Sequence, residues 1–282
     1  MGIRILAAAV GLPLLLAIVL LLPPVATAIL FAAACVIAAY EMLWRTGILK
    51  HKRILVYTAS AAAANVMLSW LGACGMVSAQ TLWALVLAAL FVYFTALFCE
   101  LLAAHSAVDF KGVCVALFSG FVYPFLLGAL VRLRSMDGGE FYIITAFLLS
   151  MVADSGAYFV GRALGKHKLA PIISPKKTVE GAIGGAVVNV AVMLLYTLLL
   201  NRCFDFAQVN YAYAAIYGVL GAGASILGDL TLSVVKRQVG IKDYGNLIPG
   251  HGGILDRFDS TMLVAPLTEL LVLLLPLAVY GV

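Results

Sequence analysis

The chain has 282 residues, 64% of them hydrophobic and 11% charged, with 18 Lys and Arg against 13 Asp and Glu. A soluble domain is about 25% charged and about half apolar. This composition, with a mean hydropathy of +1.10, therefore excludes an ordinary soluble globular protein, and it excludes disorder, whose mark is low hydrophobicity. A net charge of +5 spread along the whole chain makes no dense basic face for nucleic acid. The class that remains is an all-α, polytopic integral membrane protein.

Nine apolar runs predict spans at 5–22, 25–40, 54–71, 82–99, 113–131, 141–160, 182–200, 211–228 and 263–280. Pro23-Pro24 separates the first two as a tight hairpin, because proline cannot continue a helix. Gly72, Gly75 and Ser78 mark 72–81 as a short uncharged turn. Arg4 before an apolar run and Ala26-Thr27-Ala28 after it resemble a signal peptide with its cleavage site. The run is long for a signal, and eight more follow, so it is read as a span.

With the N-terminus placed in the cytoplasm, the inside segments hold 15 of the 18 basic residues, and the outside loops hold Arg132, Arg134 and Arg202. That split follows the positive-inside rule and supports nine spans. Two inside segments, 161–181 and 229–262, are long and hold half of the basic residues. Long ordered loops carry function. Residues 1–140 therefore read as a transmembrane scaffold and 141–282 as the catalytic half, with its chemistry at the cytoplasmic face; the short chain, with no long soluble extension in it, is expected in a bacterial inner membrane. Cys35, Cys74, Cys99, Cys114 and Cys203 are scattered with no CxxC pair, and read as buried thiols, not as a zinc site or disulfide framework.

Acids inside apolar segments are expensive and suggest function. Four stand out: Glu100, Asp154, Asp229 and Glu269. Glu100, near His105, reads as an interfacial solvated group, and Glu269 as structural within the last span. Asp154 shares a helix face with Tyr158, with Arg162 one turn beyond. That spacing fits either an Asp–Arg pair fixing a helix end or a polar active site. If 225–237 is helical, Ser225, Asp229, Ser233 and Lys236/Arg237 form one stripe of hydroxyls, a carboxylate and cations.

The segment that follows holds Gly245, Pro249, Gly250, His251, Gly252 and Gly253, then Asp256, Arg257 and Asp259. A glycine loop lets backbone amides approach phosphate oxygens. Asp256 and Asp259, three apart at the start of a helix, can face one side. Magnesium takes one or two carboxylates, waters and phosphate oxygens, so acids, glycines and cations together point to magnesium and phosphates. His251 is either a hydrogen-bonded loop residue or a substrate contact, and His51, His105 and His167 receive no role. The other loop carries Gly161-Arg162, Gly165-Lys166 and Ser174-Pro175-Lys176-Lys177-Thr178-Val179-Glu180-Gly181. It lacks the spacing of a Walker A loop, and Thr178 is placed to cap the next helix.

The run from Ser233 through Lys236-Arg237, Lys242-Asp243-Tyr244-Gly245 and Ile248-Pro249-Gly250-His251-Gly252-Gly253 to Asp256-Arg257 and Asp259 closely resembles the signature of the phosphatidate cytidylyltransferases, also called CDP-diacylglycerol synthases. The block from Asp154 to Gly181 is similar to a second block of that family, whereas 1–140 carries only a generic hydrophobic pattern. The resemblance implies that CTP and phosphatidate give CDP-diacylglycerol and pyrophosphate. It implies magnesium, with a second ion such as potassium, and a homodimer in the bilayer. It also implies Asp229 and Asp256 as catalytic metal ligands, with Ser233 and Lys177 contacting substrate.

In that reading a phosphatidate oxygen, already anionic, attacks the α-phosphorus of CTP, so catalysis is positioning and charge neutralisation. Asp259 is the third expected metal ligand. The expected substrate contacts are Asp154, Arg162, Lys176, Lys177, Thr178, Lys236, Arg237, Lys242, Asp243, Gly250, His251, Gly252, Gly253 and Arg257. The intact signature argues against a polyprenol kinase or an archaeal CDP-lipid synthase. The acidic motif of a CDP-alcohol phosphotransferase is missing. A secondary transporter would show repeats and midplane breaks, whereas the acids here cluster at one face.

Overall fold

The structure is a computed structural model that describes residues 2–204, 206–247, 250 and 252–280, without the side chains of 2–8, 206–208 and 278–280. In chain order its helices begin with α1 (Gly2–Leu21), α2 (Pro24–Tyr40), α3 (Lys52–Ala73), α4 (Ala79–Ala103), α5 (Phe110–Leu117), α6 (Tyr123–Leu127) and α7 (Ala129–Arg134). Then come α8 (Gly139–Leu164), β1 (Lys168–Ala170), β2 (Ser174–Thr178), α9 (Val179–Cys203), β3 (Phe206–Val209) and α10 (Tyr211–Gln238). The chain closes with α11 (Leu255–Phe258), α12 (Thr261–Leu274) and β4 (Ala278–Tyr280). It divides into two compact units, Met1–Asp137 with Lys236–Phe258, and Gly138–Val235 with Asp259–Val282.

Among the described residues seven helical segments are long and apolar enough to cross a membrane, and Ala9–Leu21 and Thr261–Leu274 are apolar but shorter. Their outward faces are apolar. On α4 only Tyr93, Leu97 and Glu100 are buried, while Trp83, Leu87, Phe91, Val92 and Leu102 are exposed. So continuous an apolar surface belongs against lipid, where each helix satisfies its own backbone. The protein is an all-α, multi-pass membrane protein.

In the first unit α3 packs against α2, α4, α5, α6 and α7. Leu43, Leu49, Ile54, Tyr93, Leu97, Val108, Val113 and Ala116 form a buried cluster. The Tyr93 hydroxyl lies 2.7 Å from the Ala116 carbonyl and 3.0 Å from Thr58 Oγ1, as a buried phenol requires. Pro24 opens α2 at its first turn, where a missing N–H is harmless. Ser78 caps α4 by accepting from the Thr81 amide at 3.1 Å. The predicted span 113–131 is not one regular helix. It consists of α5, a π turn at Phe118–Val122, α6 and α7. Pro124 removes one helical donor, and a Cβ on Gly120 would overlap the Tyr93 ring. Arg134 is buried and donates to the Val19 carbonyl at 2.6 Å and the Leu22 carbonyl at 3.3 Å. It thereby satisfies carbonyls at the end of α1.

Glu100 corrects the sequence reading. Its side chain is 8% exposed, not solvated, and lies 3.4 Å from Arg53 Nη1 and 3.7 Å from His51 Nε2. Tyr57 donates to it at 3.4 Å, so it ties α4 to the start of α3. The cysteines are a second correction. Cys35 is buried, but Cys74, Cys99, Cys114 and Cys203 are exposed, because an apolar run in a membrane protein need not face inward.

In the second unit glycines set the distance between α8 and α9. A Cβ on Gly185 would come within 2.8 Å of the Ala153 carbonyl, and one on Gly156 within 3.2 Å of Gly185 Cα. Small residues let two helix backbones approach closely. The Asn189 amide donates to the Leu149 carbonyl at 3.2 Å and the Gly218 carbonyl at 3.1 Å, joining α8, α9 and α10. Ser150 and Thr261 hydroxyls meet at 3.1 Å where α12 packs on α8.

Two predicted loops are largely structured. Residues 161–181 finish α8 and then form an antiparallel hairpin, with Lys168 opposite Thr178 and Ala170 opposite Ser174. Residues 229–238 continue α10 beyond the predicted end at 228. That helix stops at Gly240, with φ +72. The Gly240 amide donates to Arg237 and the Ile241 amide to Lys236, the Schellman pattern. The last predicted span stops at Leu274, because Pro276 cannot continue a helix. Residues 278–280 pair with β3 instead.

Candidate active site

The second unit brings two acids together with hydroxyls and a lysine. Asp154, on α8, is exposed. Its Oδ1 accepts from the Ser225 hydroxyl of α10 at 3.0 Å and its Oδ2 from the Ser260 hydroxyl at 2.7 Å. Asp154 is therefore bound by two hydroxyls and not paired with Arg162. Arg162 is exposed and donates to Tyr158 at 3.3 Å. One turn after Ser225 along α10, Asp229 Oδ1 accepts from the Ser233 hydroxyl at 3.0 Å. Its Oδ2 lies 2.5 Å from Lys177 Nζ, with side chains 23% and 22% exposed. Lys177 and Asp229 are both within electrostatic reach of Asp154. All members of the predicted stripe, Ser225, Asp229, Ser233 and Lys236/Arg237, lie on α10, but Lys236 pairs with Asp256 and Arg237 with the Ile241 carbonyl.

Lys177 reaches Asp229 from β2, and the neighbouring Lys176 is exposed. Successive strand residues point to opposite faces, so the two lysines are not equivalent. Thr178 is buried and caps α9, accepting from the Gly181 amide at 3.1 Å. A Cβ on Gly161 or Gly165 would come within 2.8 and 2.7 Å of its hydroxyl, which explains both glycines sterically. Glu180 pairs with His167 at 2.5 Å and accepts from the Lys166 amide at 3.0 Å, fastening the base of the hairpin.

The first unit holds the other centre. Lys236 and Asp256 are both buried and meet at 2.9 Å, with side chains 10% and 3% exposed. Asp256 Oδ2 also accepts from the Tyr244 amide at 2.8 Å and the Gly253 amide at 3.0 Å. Beside it lies Glu41, buried at the end of α2. Its two oxygens accept from the Ile254 amide at 3.0 Å and the Leu255 amide at 2.9 Å. The sequence reading missed Glu41 because it ended the second span at residue 40. The signal was present, since Glu41 sits between an apolar run and Met42-Leu43-Trp44. It is the same kind of intramembrane acid as Asp154.

The glycine loop takes its shape from these carboxylates. A Cβ on Gly245 or Gly253 would collide with the Glu41 carboxylate, and one on Gly252 would come within 2.8 Å of Asp256 Oδ2. Gly250 and Gly252 also have φ of +76 and +86, conformations that L side chains avoid. Gly250, Lys242, Asp243 and Arg257 are exposed, as is Arg237, which donates to the Ile241 carbonyl at 3.2 Å. His251, Ile248 and Pro249 lie outside the described residues. The helix expected to carry both Asp256 and Asp259 ends at Phe258. Asp259 stands in the turn after it and accepts from the Ser260 amide at 2.8 Å, so the two acids do not share a helix face.

Among the described residues no group of three or more His, Cys, Asp or Glu is assembled for a metal. Magnesium held by one or two carboxylates, waters and phosphate oxygens needs no such group. Asp229 fits that donor set, being partly exposed and close to a second exposed acid, Asp154. An ion on Asp256 would have to displace the Lys236 ammonium, as one on Asp229 would the Lys177 ammonium.

Comparison with known proteins adds a second line. Three relatives are each called phosphatidate cytidylyltransferase. The one from Staphylococcus saprophyticus is 43% identical over 147 residues, that from Staphylococcus haemolyticus 42% over 149, and that from Staphylococcus aureus 42% over 147. Each match covers 52% of this chain and 55% of the relative, so the chain spans about half the length of the curated relatives it matches. A sequence profile described as "Cytidylyltransferase family" matches residues 2–275. Those residues take in α1 to α12 and both carboxylate centres, and the chain belongs to the Cytidylyltransferase family.

Proposed function

We propose that this protein transfers the cytidylyl group of CTP to phosphatidate, giving CDP-diacylglycerol and pyrophosphate for phospholipid synthesis. The observation that carries the reading is the family match over residues 2–275, joined to relatives called phosphatidate cytidylyltransferase. A phosphate oxygen of the lipid attacks the α-phosphorus, the bond to the β-phosphate oxygen breaks, and pyrophosphate leaves. No strong base is needed, so the protein's task is to hold two anionic substrates in line.

Asp229 and Asp154 would hold magnesium, which when bound neutralises phosphate charge. Lys177, 2.5 Å from Asp229, is placed to pass from that carboxylate to a phosphate oxygen. Ser233 orients Asp229 from one turn away. Exposed cations, Lys176, Arg162, Arg237, Lys242 and Arg257, would draw the two substrates by charge. The Lys236–Asp256 pair shapes the loop that follows α10. The reading keeps Asp256 and Asp259 as further ligand candidates, a second ion such as potassium, a homodimer, and chemistry at the cytoplasmic face of a bacterial inner membrane.

The direct test supplies purified protein with phosphatidate, magnesium and CTP labelled at the α-phosphate. Label should appear in chloroform-soluble lipid, only with magnesium, and pyrophosphate should accumulate in equal amount. Absence of labelled lipid with folded protein would turn attention to other lipid acceptors.

A further inference from the structure

Glu41 is buried in a part of the chain to which no chemistry has been assigned, yet it is bound to the glycine loop. It is the first residue of the π turn Glu41–Arg45 that closes α2. Its carboxylate bridges the consecutive amides of Ile254 and Leu255 at 3.0 and 2.9 Å. The amide before them, on Gly253, goes to Asp256 at 3.0 Å. Three successive loop amides are thus taken by two carboxylates, one local and one from more than two hundred residues away.

The fit is tight on its other sides. The carboxylate occupies the space where Gly245 and Gly253 would carry side chains. The Ile254 carbonyl in turn accepts the Arg257 and Phe258 amides at 3.0 and 3.2 Å. Arg45, at the other end of the same π turn, donates to Asn246 Oδ1 at 3.2 Å. Two residues of one turn therefore hold both limbs of the loop, and Asp256 lies on the limb that Glu41 holds.

We propose that Glu41 is a positioning residue for cytidylyl transfer: it holds 253–256 so that Asp256 and the loop backbone keep one geometry as substrate arrives. This rests on the reaction proposed above. Without the carboxylate, the Ile254 and Leu255 amides lose their acceptor, and the limb keeps only its contacts through Asp256. Displacement of a positioning element by about 1 Å is enough to slow a reaction about 10²-fold.

The test compares Glu41→Gln and Glu41→Ala with wild type by label transfer and by hydrogen exchange in the same detergent. Glu41→Ala should lower kcat about 10²-fold while KM for CTP stays within about threefold, as expected of lost positioning. Glu41→Gln, which keeps one acceptor oxygen, should recover part of kcat. Exchange of the peptide covering 252–258 should speed up in Glu41→Ala and less in Glu41→Gln, with α3 and α4 unchanged. Unaltered exchange at 252–258, wild-type kcat in Glu41→Ala, or loosening spread through α3 and α4 would each overturn the proposal. Wild-type protein that transfers no label while the alanine variant still loosens the loop would sink the reaction and uphold the contact.

Discussion

The two carboxylate centres are built from opposite materials. Asp229 stands between one hydroxyl and one lysine, Ser233 on its own helix and Lys177 on β2, with 23% of its side chain exposed. Asp256 stands among backbone amides and a buried lysine, with 3% exposed. Serine and lysine side chains can turn about their own bonds without moving the chain, so the first centre can exchange partners with a ligand. Amides cannot leave without moving the chain, and a buried ion pair that loses one member leaves an uncompensated charge. The proposed reading therefore puts the first exchange of partners at Asp229 and the support of the loop at Asp256.

Asp256→Asn should therefore give the largest combined effect. It removes the charge that Lys236 pairs with and leaves one acceptor oxygen where Lys236 and two amides used two, and breaking a buried pair costs about 3–5 kcal/mol. A fall in thermal midpoint together with lost transfer is expected. Full stability with lost transfer would move Asp256 into the chemical centre. Asp229→Asn should do the reverse, lowering kcat by about 10²–10³-fold, as loss of charge-stabilising groups does, and lowering stability by less than Asp256→Asn, since its side chain is 23% exposed against 3%. Chemical denaturation and label transfer on the same preparation separate the two.

The next contrast lies inside the glycine loop. If Gly253 is glycine because Glu41 fills its side-chain space, Gly253→Ala and Glu41→Ala should not be additive. The expected coupling is about 1–3 kcal/mol in a double-mutant cycle. Additive losses would point to a ligand against Gly253. On the second unit, Thr178→Ala removes the cap of α9 and should destabilise by about 1 kcal/mol, read as a small shift in thermal midpoint. The smallest effect should come from Lys176→Ala, whose loss of rate should fall well below that of Lys177→Ala, since Lys177 is the one paired with Asp229.

Much of this was legible in the residues. Helical spacing gave the stripe Ser225, Asp229 and Ser233, and the structure keeps it on α10. Thr178 before Glu180 and Gly181 read correctly as a cap. Local periodicity and capping depend on neighbours in sequence, so one chain suffices to see them. What stayed hidden depends on partners far apart. Nothing near Glu41 announces Ile254 and Leu255, and nothing near Glu100 announces His51 and Arg53. The exposed cysteines show a separate limit. Hydrophobicity separates inside from outside only when the solvent is water, and here the outward face is apolar too. The glycines were read as openings for phosphate, whereas at Gly245 and Gly253 the space is taken by a carboxylate of the chain itself.

The central claim is that the Asp229 centre does the chemistry while the Asp256 centre fixes the frame. The most direct measurement is the magnesium dependence of label transfer in wild type, Asp229→Asn and Glu41→Gln. The account predicts that half-saturating magnesium rises at least about tenfold in Asp229→Asn, while the reduced rate of Glu41→Gln keeps the wild-type magnesium curve. A wild-type curve in Asp229→Asn, or a shifted one in Glu41→Gln, would contradict it.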